Sequence, residues 1–332
     1  MNAKFETALQ IVVRHFHFMG RNLLRTLAAG AILFAAACSE SGKPDIVLVV
    51  DPVIGQAVFD TPAEAATAFI LVVEDQDEEM LRKLLGDDFR SVLPLDEVSL
   101  EDREAFLTAA KKSLALLPQG DDKMLLVVGE EEWTLPIPVV VGESGWYFDA
   151  EEGFERILIR RIGRNELAAI QAVLAYYDAQ MEYAGEDRND DGMLEYAQQI
   201  VSPPETHDGL YWEVEPGEEL SPLGPLMADR VPGHGYHGYF YRILEAQGEH
   251  ARGGAYRYII NGRMRFGFAL IAWPEAYGES GVMSFIVNHS GVVYEQNLGP
   301  DGAAVAKAMQ AYDPDSNWVP TKEVSTEAAI PQ

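Results

Sequence analysis

Leu167, Ile170, Leu174, Tyr177 and Met181 recur at steps of three and four, the spacing that lines one face of a helix. An apolar helical face of that length has to be covered, so this stretch commits the chain to a helix laid on a second layer. From Tyr239 the period shortens to that of strands, with runs at 239–244, 256–260, 266–273, 283–287 and 292–294. Asn261-Gly262 sits between two of them, and both residues tolerate the positive φ of a type I′ hairpin turn. Residues 303–311 read as a short closing helix. One long helix followed by an antiparallel meander implies an α+β fold. Between them, residues 202–238 are rich in Pro and Gly and are expected to cross the surface.

Upstream, Thr61-Pro62-Ala63-Glu64 is a helix start: Thr61 caps free amides, Pro62 suits the first helical position and Glu64 reaches back to close a capping box. Asp77 caps a second helix carrying Met80, Leu81, Leu84 and Leu85. Ser99 with Asp102 marks a third, with Phe106, Ala110 and Leu114 on its inner face. Strands follow at 124–128, 133–141 and 146–148, the second expected at a sheet edge because Pro136 and Pro138 cannot donate to a ladder. Residues 151–161 read as a connecting helix. Its end, Arg160-Arg161 with Arg164, is a basic island that either pairs with acids of a nearby loop or is solvated.

A length of 332 residues and 48% hydrophobic content allow two domains with sizeable cores. The formal net charge of −28 opposes binding to a phosphate backbone, so nucleic acid is excluded as a partner class. The single cysteine, Cys38, rules out a disulfide within the chain. It ends a stretch that begins with Arg21 and Arg25, continues through a short apolar run and finishes in small residues, which is the anatomy of a secretory signal. This stretch resembles the signal of bacterial lipoproteins, with Ala35 where that group more often has Leu. The resemblance implies that Cys38 is lipidated and becomes the first mature residue, anchoring the protein to a membrane, on the periplasmic face of the outer membrane. The expected organisation is a signal over 1–37, starting at Met1 or Met19, and a tether over 38–56, where residues 46–50 are alternatively a strand. A helix-plus-sheet module over 57–150, an α+β domain over 151–320 and a tail over 321–332 follow.

Short helices followed by a sheet ending in Gly145-Trp146-Tyr147-Phe148 resemble the cone-shaped folds of the nuclear-transport-factor-like group, which implies a pocket that Trp133 and Trp146 either line or close by packing. The second half resembles the globular part of pilins and pseudopilins. The likeness lies in Asn165 to Ile170 with Ala179-Gln180 and Tyr183, then Ala272-Trp273-Pro274, Gly281 to Val287 and Gly291-Val292-Val293. It implies a long helix packed on an antiparallel meander. The charged residues 156–164 stand where pilins carry a hydrophobic assembly helix. Taken whole, Arg161 to Leu167, Asp187 to Tyr196, Asp208 to Trp212, Ser221 to Leu226 and Ser280 to Met283 resemble an uncharacterised family of bacterial secreted proteins and lipoproteins that carries no assigned activity.

Three stretches could carry chemistry. In Asp187-Arg188-Asn189-Asp190-Asp191-Gly192-Met193-Leu194-Glu195, the residues Asp187, Asn189 and Asp191 occupy alternate positions, Gly192 permits a sharp turn, Met193 offers a carbonyl and Glu195 a further carboxylate. That is the donor pattern of a calcium loop, with Gln198 in place of the closing Glu; a solvated acidic turn is the alternative. His234 and His237, three apart in a Gly-rich loop, would hold zinc for metal-assisted hydrolysis if His207, His250 or His289 joined them. Tyr277-Gly278-Glu279-Ser280-Gly281 lacks the spacing of a nucleophile elbow. The expectation is a non-catalytic envelope lipoprotein that binds or assembles with an unknown envelope protein or ligand, with a structural calcium ion. The alternative is an envelope hydrolase using a histidine-bound metal.

Overall fold

The computed structural model describes residues 32–33, 48–93, 99–130, 132–188, 191–204, 206–214, 220–224 and 234–321. The expected lipidation site, Cys38, lies outside them, as do Asn189 and the tail beyond 321. The chain separates into two compact units, residues 1–160 and 161–330.

In the first unit, α1 (Pro62–Asp75), α2 (Glu78–Leu85) and α3 (Leu100–Lys112) begin where local chemistry dictates. Thr61 Oγ1 accepts from the Glu64 amide while Glu64 accepts from the Thr61 amide, and Asp77 and Ser99 cap the other two helices. The sheet contains β1 (Ile32–Leu33), β2 (Leu114–Pro118), β3 (Lys123–Val128), β4 (Trp133–Thr134), β5 (Val139–Val141) and β6 (Trp146–Phe148). All its pairings are antiparallel, in the order β1-β2-β3-β5-β6, with β4 also on β3. Phe69, Phe106, Phe148 and the leucines of α2 fill the core, and Trp133 meets Phe106 edge-on at 6.0 Å. Trp133 and Trp146 both pack on that core.

Two expectations fail here. Leu114 opens β2 instead of closing α3, because Ser113 turns extended and ends the helix at Lys112. Residues 133–141 form two strands rather than one at an edge. The prolines sit in the buried interruption between them, so β5 keeps its amides and is flanked by both β3 and β6.

Helix α4 runs unbroken over Ala150–Tyr183, so the expected connecting helix and central helix are one, and the unit division falls inside it. Gly163 costs only about 1 kcal/mol in a helix interior. Two arginines of the basic island bond backbone or hydroxyl oxygens outside the acidic loop. Within the first unit Arg160 donates to Thr134 O and Oγ1 at 3.2 and 3.0 Å, and within the second Arg161 donates to Glu279 O at 3.0 Å.

The second unit carries β7 (Tyr239–Leu244), β8 (Ala269–Pro274), β9 (Ser284–Asn288), β10 (Tyr294–Gln296) and β11 (Val319–Pro320), an antiparallel sheet in chain order. Every residue of β8 and β9 is buried, the polar Ser284 and Asn288 at the ends of β9 included. The face α4 buries in this unit is Ala169, Ile170, Val173, Tyr176, Ala179, Gln180 and Tyr183, rotated from the expected one: Leu167 and Met181 are 52% and 48% exposed. The small side chains of Ala169 and Ala179 let the sheet approach there. The Asn261-Gly262 hairpin forms as expected, with φ of 55° and 78° between Ile259–Ile260 and Arg263–Met264. The stretch 202–238 does not simply cross the surface. Gly209–Tyr211 pairs in parallel with Gln199–Val201, and Leu210, Trp212 and Leu223 enter the core. The closing helix, α5, is Gly302–Ala308.

Candidate binding cleft

In the second unit a cleft of about 540 Å³ opens beside the edge strand β7. One wall is Tyr239 to Ile243, the other is Gln198 to Val201, and Ala172 and Tyr176 of α4 line the space with Leu223, Leu270, His234 and Tyr236. Burial pushes the hydroxyls of Tyr176, Tyr239 and Tyr241 well above the ordinary tyrosine pKa, so these rings stay neutral. Tyr239 Oη donates to Met283 O at 2.9 Å, and Tyr241 Oη to Tyr236 O at 3.4 Å. The Arg242 guanidinium donates to Ala306 O at 2.8 Å and to Met309 O, holding the C-terminal end of α5. Apart from His234, sequence reasoning did not single out this lining as a site. The available signal was Tyr239-Phe240-Tyr241, which places aromatics on both faces of one strand.

The far wall is held by Gln180, a fully buried amide on the inner face of α4. Its Nε2 donates to Ala197 O at 2.8 Å and to Tyr176 Oη at 3.0 Å, while its Oε1 accepts from the Ala197 amide at 2.9 Å. The side chain thus pairs with Ala197 as a neighbouring strand would, and the next four residues are the cleft wall.

Two of the sequence motifs meet at the start of α4 within this unit. Glu166 Oε1 accepts from the amides of Val282 and Met283 at 2.9 and 3.0 Å, and Asn165 Nδ2 donates to Ser280 O at 2.8 Å. Ser280 Oγ accepts from the Ala276 amide and donates to Ala276 O, closing a turn. A Cβ on Gly281 would stand 2.1 Å from Tyr239 Oη, so that glycine is required by close approach. The junction anchors β9 to the helix and is built for packing.

The calcium candidates are placed as follows. Asp187 accepts from the amides of Asp191 and Gly192 at 3.3 and 2.6 Å. Asp191 and Glu195 both reach the guanidinium of Arg263, Glu195 at 3.3 Å. Met193 Sδ lies 3.2 Å from an Arg265 nitrogen. Arg188, inside the same loop, lies over the rings of Tyr183 and Trp212 at 5.1 and 5.3 Å, and His207 stacks on Trp212. Arg263 therefore balances Asp191 and Glu195.

The histidines are dispersed. His234 Nδ1 lies 3.7 Å from Glu275 Oε1, His237 packs on Tyr236, and His250 bonds Asp313 at 3.0 Å. His289 sits against Tyr258 and Phe268. No group of three metal-ligating side chains forms among the described residues. No helix among them is long and apolar enough to cross a membrane. A family model for a protein of unknown function matches residues 56–321. Neither a curated protein nor a solved structure matches the chain.

Proposed function

The chain belongs to the family described as protein of unknown function, DUF2950, and on that premise we propose that it is an envelope-anchored, non-catalytic binding protein whose ligand occupies the cleft beside β7. The observation that carries this reading is the cleft lining: five aromatic residues, Gln198, Gln199 and His234 border one concave space. The signal-like stretch ending at Cys38 supports anchoring on the periplasmic face of the outer membrane. A helix buried against an antiparallel meander supports the pilin-like reading of the second unit and a role in assembly at that surface.

Anchoring and binding are tested separately. Cys38→Ser moves the protein from the membrane to the soluble envelope fraction, because acyl chains supply the membrane affinity; wild type that is already soluble refutes the anchor. Ala172→Trp fills the cleft from α4. It abolishes the retention of envelope material by purified protein at an unchanged melting temperature, and retention that survives the plug refutes the cleft.

A structural calcium ion at Asp187, Asn189, Asp191, Met193 and Glu195 is a proposal of the same kind. Binding exchanges Arg263 for the ion and raises the melting temperature by mass action, an effect lost in Asp187→Ala with Asp191→Ala. An unchanged melt between millimolar-range calcium and chelator removes the ion from the account.

A further inference from the structure

We propose that the ligand of the cleft is an extended segment of a partner polypeptide, neutral or acidic, which adds to the sheet as a new strand along β7; this rests on the cleft being the binding site. In an antiparallel ladder alternate residues turn their backbone groups toward the partner strand. Gly238 O accepts from the Glu275 amide on the β8 side, whereas Tyr239 exchanges both its bonds with Tyr236 on the other side, and Glu245 O accepts from the Tyr258 amide there. The same parity directs Phe240, Arg242 and Leu244 to β8 and leaves Tyr241 and Ile243 facing outward. Among the described residues the amides and carbonyls of Tyr241 and Ile243 have no protein partner.

Tyr241 and Ile243 both line the cleft, between an edge closed at Tyr239 and an edge closed at Glu245. Such a window accepts a strand of three or four residues, roughly 10–14 Å long. Open edge groups bind a peptide backbone through paired donors and acceptors, which a compact or non-peptide ligand does not supply. The charge of the lining narrows the partner further. Among the described residues that line the cleft, Arg242 and His234 are present and no Asp or Glu is, in a chain with 53 acidic residues. A cationic strand gains nothing there, whereas a neutral or acidic one meets no repulsion. Alternate side chains of the strand would rest on the rings of Phe240 and Tyr241 and against Ile200.

The probe is a blocked pentapeptide, threonine-valine-aspartate-valine-threonine, added to the intact chain while amide exchange is followed by NMR. In the free protein Phe240 and Arg242 exchange slowly and Tyr241 and Ile243 fast. Saturating peptide slows Tyr241 and Ile243 at least tenfold, and the analogue N-methylated at both valines slows neither. Replacing the aspartate by lysine weakens the effect. Ile243→Pro removes one outward amide and keeps the ladder to β8, since its nitrogen faces away from that strand; it abolishes protection of Tyr241. Slow exchange of Tyr241 and Ile243 without peptide means the edge is already covered, by this chain or a second copy, and overturns the proposal. Equal protection by the methylated analogue also overturns it. Absent protection with retention still sensitive to Ala172→Trp overturns strand addition and leaves the cleft reading; loss of both overturns both.

Discussion

Phe268→Ala is expected to destabilise the second unit by about 3–5 kcal/mol, the usual cost of truncating a fully buried aromatic side chain. Phe268 is completely buried, and its ring meets Tyr196 at 4.9 Å, Tyr176 at 5.7 Å, Tyr177 at 5.8 Å and His289 at 6.3 Å. Its neighbours come from α4, from the segment after the acidic loop and from the turn after β9, so no single element can relax into the space. The His289 amide also bonds Phe268 O at 3.1 Å, which holds the surrounding backbone in place. Urea denaturation followed by tyrosine and tryptophan fluorescence measures the change. A loss below about 1 kcal/mol would mean that the aromatic cluster does not bear on stability.

Gln180→Ala is expected to cost about 3 kcal/mol, because it strands two backbone groups at once. Ala197 is buried, so its amide and carbonyl lose their partners with no water to replace them. Gln180→Glu is the sharper variant, since an ionised carboxylate still accepts from the Ala197 amide but has nothing to donate to Ala197 O. Both variants should loosen the wall that begins one residue later, at Gln198. Protease cleavage near Val201 should therefore rise in each before global unfolding. Stability equal to wild type in both would show that the Ala197 pairing is replaceable.

Much of the fold was legible where the determinant is local. The caps at Thr61, Asp77 and Ser99 each need one side chain and an amide two or three residues on, and the Asn261-Gly262 turn needs only two tolerant residues. The inner face of α4 was misread because spacing of large residues cannot reveal that Ala169 and Ala179 face the sheet. Gln180 reads as polar and hence exposed until Ala197 is seen opposite it. The edge placed at Pro136 and Pro138 was wrong because those residues lie in the gap between β4 and β5. Of the cleft, His234 alone was singled out in the sequence. Its walls come from 172–176, 198–201, 223 and 234–243, and no periodicity links segments that meet only after the chain has folded.

The way α4 is tied to its sheet has a consequence for the time course of folding. Tyr176 Oη donates to Ala269 O across 93 residues, Asn165 reaches Ser280 across 115, and Glu166 reaches Met283 across 117. A nascent chain thus displays the apolar side of this helix long before its covering strands emerge. Such distant pairings slow folding, since the connecting segment must be ordered before the contacts repay it. The second unit should behave as an all-or-none late folder, and any chain truncated before β8 leaves the helix with a bare apolar side and a propensity to aggregate.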